Sequence, residues 1–292
     1  MSAIAPLRSR AEALAAPFPA LLAGARHLAA SMAAGSHGRR RPGQGDEFWQ
    51  YRAAQPGDEL RAVDWRRSGR SDTHFVRQKE WQAAQSVSVW VDPGQSMRFA
   101  SRASLPRKAD RAAEIALAAS VLLIHGGERV GLNDHGLPPR GGEVQLMRMA
   151  QALERDLSRA PEYGVPNARE IPPGARALFL SDFLGDIDGL RDALTAAADR
   201  GISGALVQVL DPAEEAFPFD GRTIFESMGG SIRHETLKAG DLRDRYLDRL
   251  AARKDALRAL CAAAGWQYTL HHTGQPAAPA LLWLYAALER VA

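Results

Sequence analysis

Asp92 and Ser96 follow directly on the alternating apolar run Ser86–Val91 (SVSVWV), and Asp182 follows directly on a second apolar run, ALFLS, that ends at Ser181. If both runs are strands of one parallel sheet, they end at the same rim, and Asp92, Ser96, Ser181 and Asp182 converge there. Carboxylate and hydroxyl oxygens of this kind are hard ligands suited to Mg²⁺ or Mn²⁺, ions that keep several waters and need few protein groups. A plainer role for each aspartate is to cap the turn or helix that follows its strand.

A second constellation lies upstream. Pro56-Gly57-Asp58, Arg61, Asp64-Trp65-Arg66-Arg67 and Arg70 alternate guanidinium groups with acids around one tryptophan. Planar guanidinium groups bridge carboxylates in pairs and stack on indole rings, so the density of this cluster suits an interaction surface. His271 and His272 sit at a strand end without metal-ligand spacing and read as a satisfied surface pair. Neither a phosphate-binding Gly-x-x-x-x-Gly-Lys-Ser/Thr loop nor a Gly-x-Ser-x-Gly elbow occurs, which argues against nucleotide hydrolysis by this chain and against an elbow-type serine hydrolase.

The elements that must position these groups form an alternating series. Strands are expected at Val87–Asp92, Arg129–Leu132, Ala175–Ser181, Gly204–Leu210 and Gln267–His271. Helices are expected at Lys108–His125, Glu143–Arg159, Ile187–Arg200, Leu242–Ala264 and Ala278–Arg290. Alternation of this kind makes a mostly parallel sheet covered on both faces. The helix from Lys108 is apolar almost all round and belongs in the sheet's cover. The helix from Leu242 places Leu242, Tyr246, Leu250, Leu257 and Cys261 on one face. Upstream, Gly35 to Gly45 reads as an exposed linker, with β-favouring segments at Glu59–Trp65 and Thr73–Trp81. The chain thus divides into a helical segment (1–35), a linker with a β-rich module (36–85) and an α/β domain (86–292).

At 292 residues and 46% hydrophobic, the chain can bury a large core. A net charge of +3, from 37 basic and 34 acidic residues, is too small to mark a nucleic-acid binder. The one basic cluster, Arg39 to Arg41, makes nucleic-acid binding the weakest of the readings. Cys261 is the single cysteine, so no intrachain disulfide calls for an oxidising compartment, and a cytoplasmic setting is the default. No apolar run reaches the length of a membrane span. The N-terminal stretch, with Arg8 and Arg10 before Ala13 to Ala25, imitates a signal peptide, but Glu12, Pro17 and Pro19 interrupt it.

Taken in order, Arg39-Arg40-Arg41, Gly43, Gly45-Asp46-Glu47-Phe48, Arg52, Pro56-Gly57-Asp58, Arg61, Asp64-Trp65-Arg66, Ser68, Arg70, Val76-Arg77, Glu80 and Asp92 through Ser96-Met97 resemble the domain of unknown function 58 family. Gly127 to Leu132, Leu180 to Phe183, and Asp211-Pro212 with Glu214 continue the resemblance. It implies a von Willebrand A-like, doubly wound fold and a MoxR-type AAA+ ATPase as partner. In such pairs the ATPase hydrolyses nucleotide, and the A-like protein acts as a non-enzymatic adaptor or co-chaperone for a client protein. Carried onto this chain, the resemblance makes Asp92, Ser96 and Asp182 the ligands of a degenerate Mg²⁺ or Mn²⁺ rim, degenerate because Gly94 stands where the Asp-x-Ser-x-Ser motif of such sites has its middle serine. Arg52, Asp58, Arg61, Asp64, Trp65, Arg66 and Arg70 become the partner surface. It also expects a threonine for a second metal loop near residues 159–168, where none stands. The rival reading is a metal-dependent hydrolase that uses Asp92 and Asp182.

Overall fold

The computed structural model describes residues 42–55, 63–69, 74–80, 84–154, 160–230 and 233–290. Upstream, β1 (Pro42–Ala53) pairs antiparallel with β2 (Phe75–Glu80), and one helical turn, α1 (Trp65–Ser68), lies between them. The main domain then runs β3 (Ser86–Val91), α2 (Lys108–His125), β4 (Arg129–Leu132), β5 (Leu137–Arg140), α3 (Glu143–Leu153), β6 (Arg176–Ser181) and α4 (Ile187–Ala198). It continues through β7 (Ser203–Leu210), α5 (Pro212–Ala216), β8 (Thr223–Glu226), β9 (Arg233–Thr236), α6 (Arg243–Ala263), β10 (Gln267–His272) and α7 (Ala278–Arg290).

Successive side chains on a strand point to opposite faces. Val87, Val89 and Val91 of β3 therefore share one buried face with Leu178 and Leu180 of β6, while Trp90, Ala177 and Phe179 share the other. A sheet apolar on both faces must be covered twice. The valine face is covered by α2, α3 and α7, and the Trp90 face by α4 and α6. The sheet order is β10-β7-β6-β3-β4-β5, parallel throughout except that β5 runs against β4. The chain leaves β3 toward β4 and later returns to its other side as β6. The loops after β3 and β6 thus part in opposite directions and leave a crevice at the C-terminal edge, where sheets of this kind place ligands.

The expected sheet strands and their helices are present within one or two residues at nearly every boundary, and Leu250, Leu257 and Cys261 bury the predicted face of α6. The differences lie elsewhere. The stretch read as linker to Gly45 is already strand from Pro42, because β2 pairs with it; register shifts between Gly43 and Phe48 and between Phe48 and Gln50 absorb the glycines as bulges. Of the strand expected at Glu59–Trp65, residues 56–62 lie outside the described ones. Val63 forms a lone bridge to Val76, and Trp65 opens a helical turn in which the Asp64 carbonyl accepts the Ser68 N–H at 2.9 Å and its hydroxyl at 2.8 Å. The helix from Glu143 stops at Leu153. The sequence reading passes over β5, whose two prolines are tolerated because it is an edge strand. It also passes over the short β8–β9 hairpin and α5. The segment 1–35 and Arg39 to Arg41 lie outside the described residues.

At the edge of the sheet remote from the crevice, Glu128 enters β4 fully buried. Burial, partly offset by the backbone amide of Gln85, pushes its carboxyl from 4.5 up to about 7. A group whose pKa is raised on folding lends stability below its unfolded value and loses it as pH rises through the folded one. Glu128→Gln, neutral at every pH, is therefore expected to gain stability over wild type by on the order of 2 kcal/mol between pH 5 and pH 8. Chemical denaturation at both pH values checks this, and a difference that stays flat with pH contradicts it.

Candidate functional site

Asp92 continues from β3 into the crevice, its N–H bonded to the Leu180 carbonyl of β6 at 2.9 Å. Its carboxylate is buried and fully engaged by protein groups. Oδ1 accepts the N–H of Gly94 at 2.6 Å and of Gly164 at 2.9 Å, and Oδ2 accepts the Ser181 hydroxyl at 2.5 Å. Burial pushes its carboxyl up to about 6, against the pull of the Ser181 hydroxyl. Ser181 Oγ in turn accepts the Phe183 N–H at 2.9 Å. Phe183 takes a left-handed φ of 50°, uncommon for a bulky residue, and so turns the chain sharply away from β6.

Asp182, the next residue, has no solvent exposure. Its Oδ1 accepts the Leu184 N–H at 3.0 Å, and its Oδ2 accepts the ammonium of Lys108 at 2.8 Å. The same ammonium reaches Glu214 Oε1 at 2.5 Å. Glu214 is aimed by the capping box that opens α5: Asp211 Oδ1 accepts the Ala213 N–H, and Glu214 Oε2 accepts the Asp211 N–H, each at 2.8 Å. Burial pulls Lys108 down, yet the carboxylates of Asp182 and Glu214 outweigh it and hold the amine above its ordinary range. Gln208 of β7 fixes the Asp182 carbonyl through Nε2 at 2.8 Å and accepts the Tyr268 hydroxyl of β10 at 2.6 Å. Four neighbouring strands thus meet in one polar network.

The three predicted metal ligands gather at this rim, where the oxygens of both aspartates meet protein donors. Both oxygens of Asp92 face N–H or O–H donors. The inner oxygen of Asp182 faces an ammonium, whose charge opposes a second cation beside it. Ser96, in the one-turn helix Gln95–Arg98, is buried with its hydroxyl unpartnered, and a lone hydroxyl does not hold a divalent ion. Among the described residues, no three His, Cys, Asp or Glu side chains cluster with metal-binding geometry. At position 94 a Cβ would stand 2.8 Å from both Asp92 Oδ1 and the Glu162 carbonyl, so the hydroxyl that the motif lacks has no room there.

The loop at 160–166, where a second metal loop is expected, acts as a strap. Its Pro161 and Glu162 carbonyls each accept a backbone N–H, from Gln95 and Ser96, at 2.9 Å, and its Gly164 caps Asp92. The Glu162 carboxylate accepts the N–H groups of Met228 and Gly229 at 3.1 and 2.6 Å, which ties in the segment after β8. Beside the strap a cavity of about 560 Å³ opens. Phe99, Tyr163, Leu184, Phe219, Phe225, Met228 and Tyr246 line it, with Lys108, Ser96 and Asp182 in its wall and Arg245 and Arg249 at α6. Met228 is 44% exposed.

Of the expected partner surface, Asp58, Arg61 and Arg70 lie outside the described residues, and Arg52 takes its place in β1 opposite Val76. Asp64 precedes α1. Trp65, which the sequence reading stacks on arginine, is 56% exposed and meets His74 edge-on at 5.6 Å; Arg66 beside it is exposed. His271 is buried rather than superficial, and burial holds it down at about 4, while His272 pairs with Glu215.

A Cβ at Gly164 would collide with Asp92 Oδ1 and come within 2.9 Å of Pro93 Cδ. Gly164→Ala is expected to cost about 1–3 kcal/mol, as overpacking of a fixed site does. Thermal unfolding reads this, and an unchanged midpoint would show that the strap does not close on Asp92.

Residues 50–256 match the family described as "Protein of unknown function DUF58". Uncharacterized protein Rv1480 of Mycobacterium tuberculosis is 30% identical over 237 residues, 75% of this chain and 72% of that protein. Uncharacterized protein Mb1516 of Mycobacterium bovis matches to the same extent, 30% over 237 residues. Among solved structures, conserved hypothetical protein BatB from Bacteroides thetaiotaomicron aligns over 71% of this chain and 98% of its own, at a TM-score of 0.45 and 13% identity. An aerotolerance-related membrane protein from Bacteroides fragilis aligns over 71% of this chain and 100% of its own, at 0.43 and 14%. By the extent of the family match and the identity to these relatives, the chain belongs to the DUF58 family.

Proposed function

We propose that this chain is a non-enzymatic interaction module on a von Willebrand A-like scaffold, acting in the cytoplasm as adaptor between a MoxR-type AAA+ ATPase and a client protein. The observation that carries the reading is the rim cavity. It is concave, walled by aromatic rings and Met228, and flanked by Arg245 and Arg249. Aromatic, methionine and arginine side chains are those that concentrate binding energy at protein interfaces. The scaffold reading draws on the strand order around β3 and on Asp92 and Ser96 at its end. Exposed Trp65 and Arg66 offer a second, separate surface, so one chain has two places for two proteins. In this arrangement the ATPase supplies the chemical work and docks at the Trp65 surface, while the cavity takes an apolar segment of the client.

The hydrolase alternative asks Asp92 and Asp182 to share a catalytic cation. Their oxygens are directed instead at Gly94, Gly164, Ser181, Leu184 and Lys108, and no specific observation favours that reading.

The test is a pull-down of the MoxR-type ATPase of the same organism with the purified chain, repeated for Trp65→Ala and for Phe225→Ala with Met228→Ala. Trp65→Ala is expected to weaken ATPase capture by roughly tenfold or more, as loss of an aromatic anchor does. The cavity variant is expected to retain capture, with circular dichroism unchanged in both. Failure of the wild-type chain to bind the ATPase overturns the adaptor reading. Equal capture by Trp65→Ala removes the docking surface.

A further inference from the structure

Lys108 opens α2 and, although Asp110, Arg111 and Glu114 share the first turns of that helix, its own side chain is only 1% exposed. A lysine enters an interior of this kind only when its charge is met there. It is met by two carboxylates from different parts of the fold: Asp182 at the end of β6, at 2.8 Å, and Glu214 in the first turn of α5, at 2.5 Å. Neither carboxylate is free to swing, because the second oxygen of each is held by a backbone N–H, that of Leu184 and that of Asp211. One positive centre fixed between two pre-aimed carboxylates is the arrangement that a divalent cation makes at an oxygen-lined rim. Ser96 Oγ, on the wall of the same cavity, is buried and idle.

We propose that Lys108 is the built-in cation of this rim: its ammonium occupies the point between Asp182 and Glu214 where a divalent ion could otherwise bridge the two carboxylates, and the domain folds without Mg²⁺ or Mn²⁺. The ammonium is a compact point charge with several donors, which suits it to that role better than a planar guanidinium. Once the ammonium is removed, two fixed carboxylates remain facing one buried point, and that pair can accept Mn²⁺.

The experiment uses Mn²⁺ alone as probe on the full chain, read by thermal unfolding and by isothermal calorimetry. Wild type is expected to show no binding heat, and millimolar Mn²⁺ or EDTA is expected to move its melting temperature by less than about 1 °C. Lys108→Met is expected to melt on the order of 10 °C lower, as removal of one partner from a buried ion pair does in a domain of this size. Mn²⁺ is expected to restore a large part of that loss. Lys108→Met combined with Asp182→Asn is expected to lose the Mn²⁺ response. Mn²⁺ stabilisation of wild type that disappears in Asp182→Asn overturns the proposal, and so does a folded Lys108→Met that ignores Mn²⁺. Should Lys108→Met fail to fold, the wild-type titration decides the matter: Mn²⁺ binding that depends on Asp182 contradicts the proposal, and its absence supports it.

Discussion

A buried ammonium between two buried carboxylates sets the terms for the whole C-terminal edge of this sheet. Lys108 comes from the helix that covers one face, Asp182 from the strand beside the switch of direction, and Glu214 from the turn after β7. Three elements far apart in the chain are thereby pinned at one point. The pairing demands good geometry, since each charge removed from water costs several kcal/mol and is repaid only if every remaining lone pair is also met. The capping box behind Glu214 and the Leu184 amide behind Asp182 meet that demand. Asp92, next door, has a different solution. Two backbone amides and one hydroxyl satisfy it, and its raised proton affinity follows from burial with no cation beside it.

From this constraint the shape of the rim follows. With Asp92 capped by Gly164, the strap at 160–166 must lie close over β3, and no side chain fits at positions 94 or 164. Glu162 then holds the segment after β8, which lifts Phe225 and Met228 into the wall of the cavity. The polar network is thus the floor on which an apolar, arginine-flanked groove is built. Lys108 and Asp182 stand in the wall of that cavity beside the aromatic rings.

Much of the scaffold was legible in the sequence, because strands buried on both faces carry continuous apolar runs and their covering helices carry a 3.6-residue period. The meeting of Asp92, Ser181 and Asp182 was legible too, since neighbouring parallel strands must end at one edge. Lys108 and Glu214 were not: with Arg107, Asp110, Arg111 and Glu114 around it, a lysine at this helix start reads as part of a solvated first turn, and nothing nearby in the chain points to a buried partner. That partner lies 74 residues away for Asp182 and 106 for Glu214, and no local period reports such pairings. The strap leaves no mark in the sequence because it works through backbone N–H and C=O groups, which do not depend on side-chain type. The strand from Pro42 escaped because its pairing with β2 overrides its glycine-rich composition.

The most direct test of the central claim is a crystal structure of the full chain grown in millimolar Mn²⁺, with anomalous diffraction recorded for manganese. The account predicts Lys108 Nζ within hydrogen-bonding distance of both Asp182 and Glu214 and no anomalous peak at the rim. A manganese peak among Asp92, Ser96 and Asp182, with the lysine turned away, would contradict it.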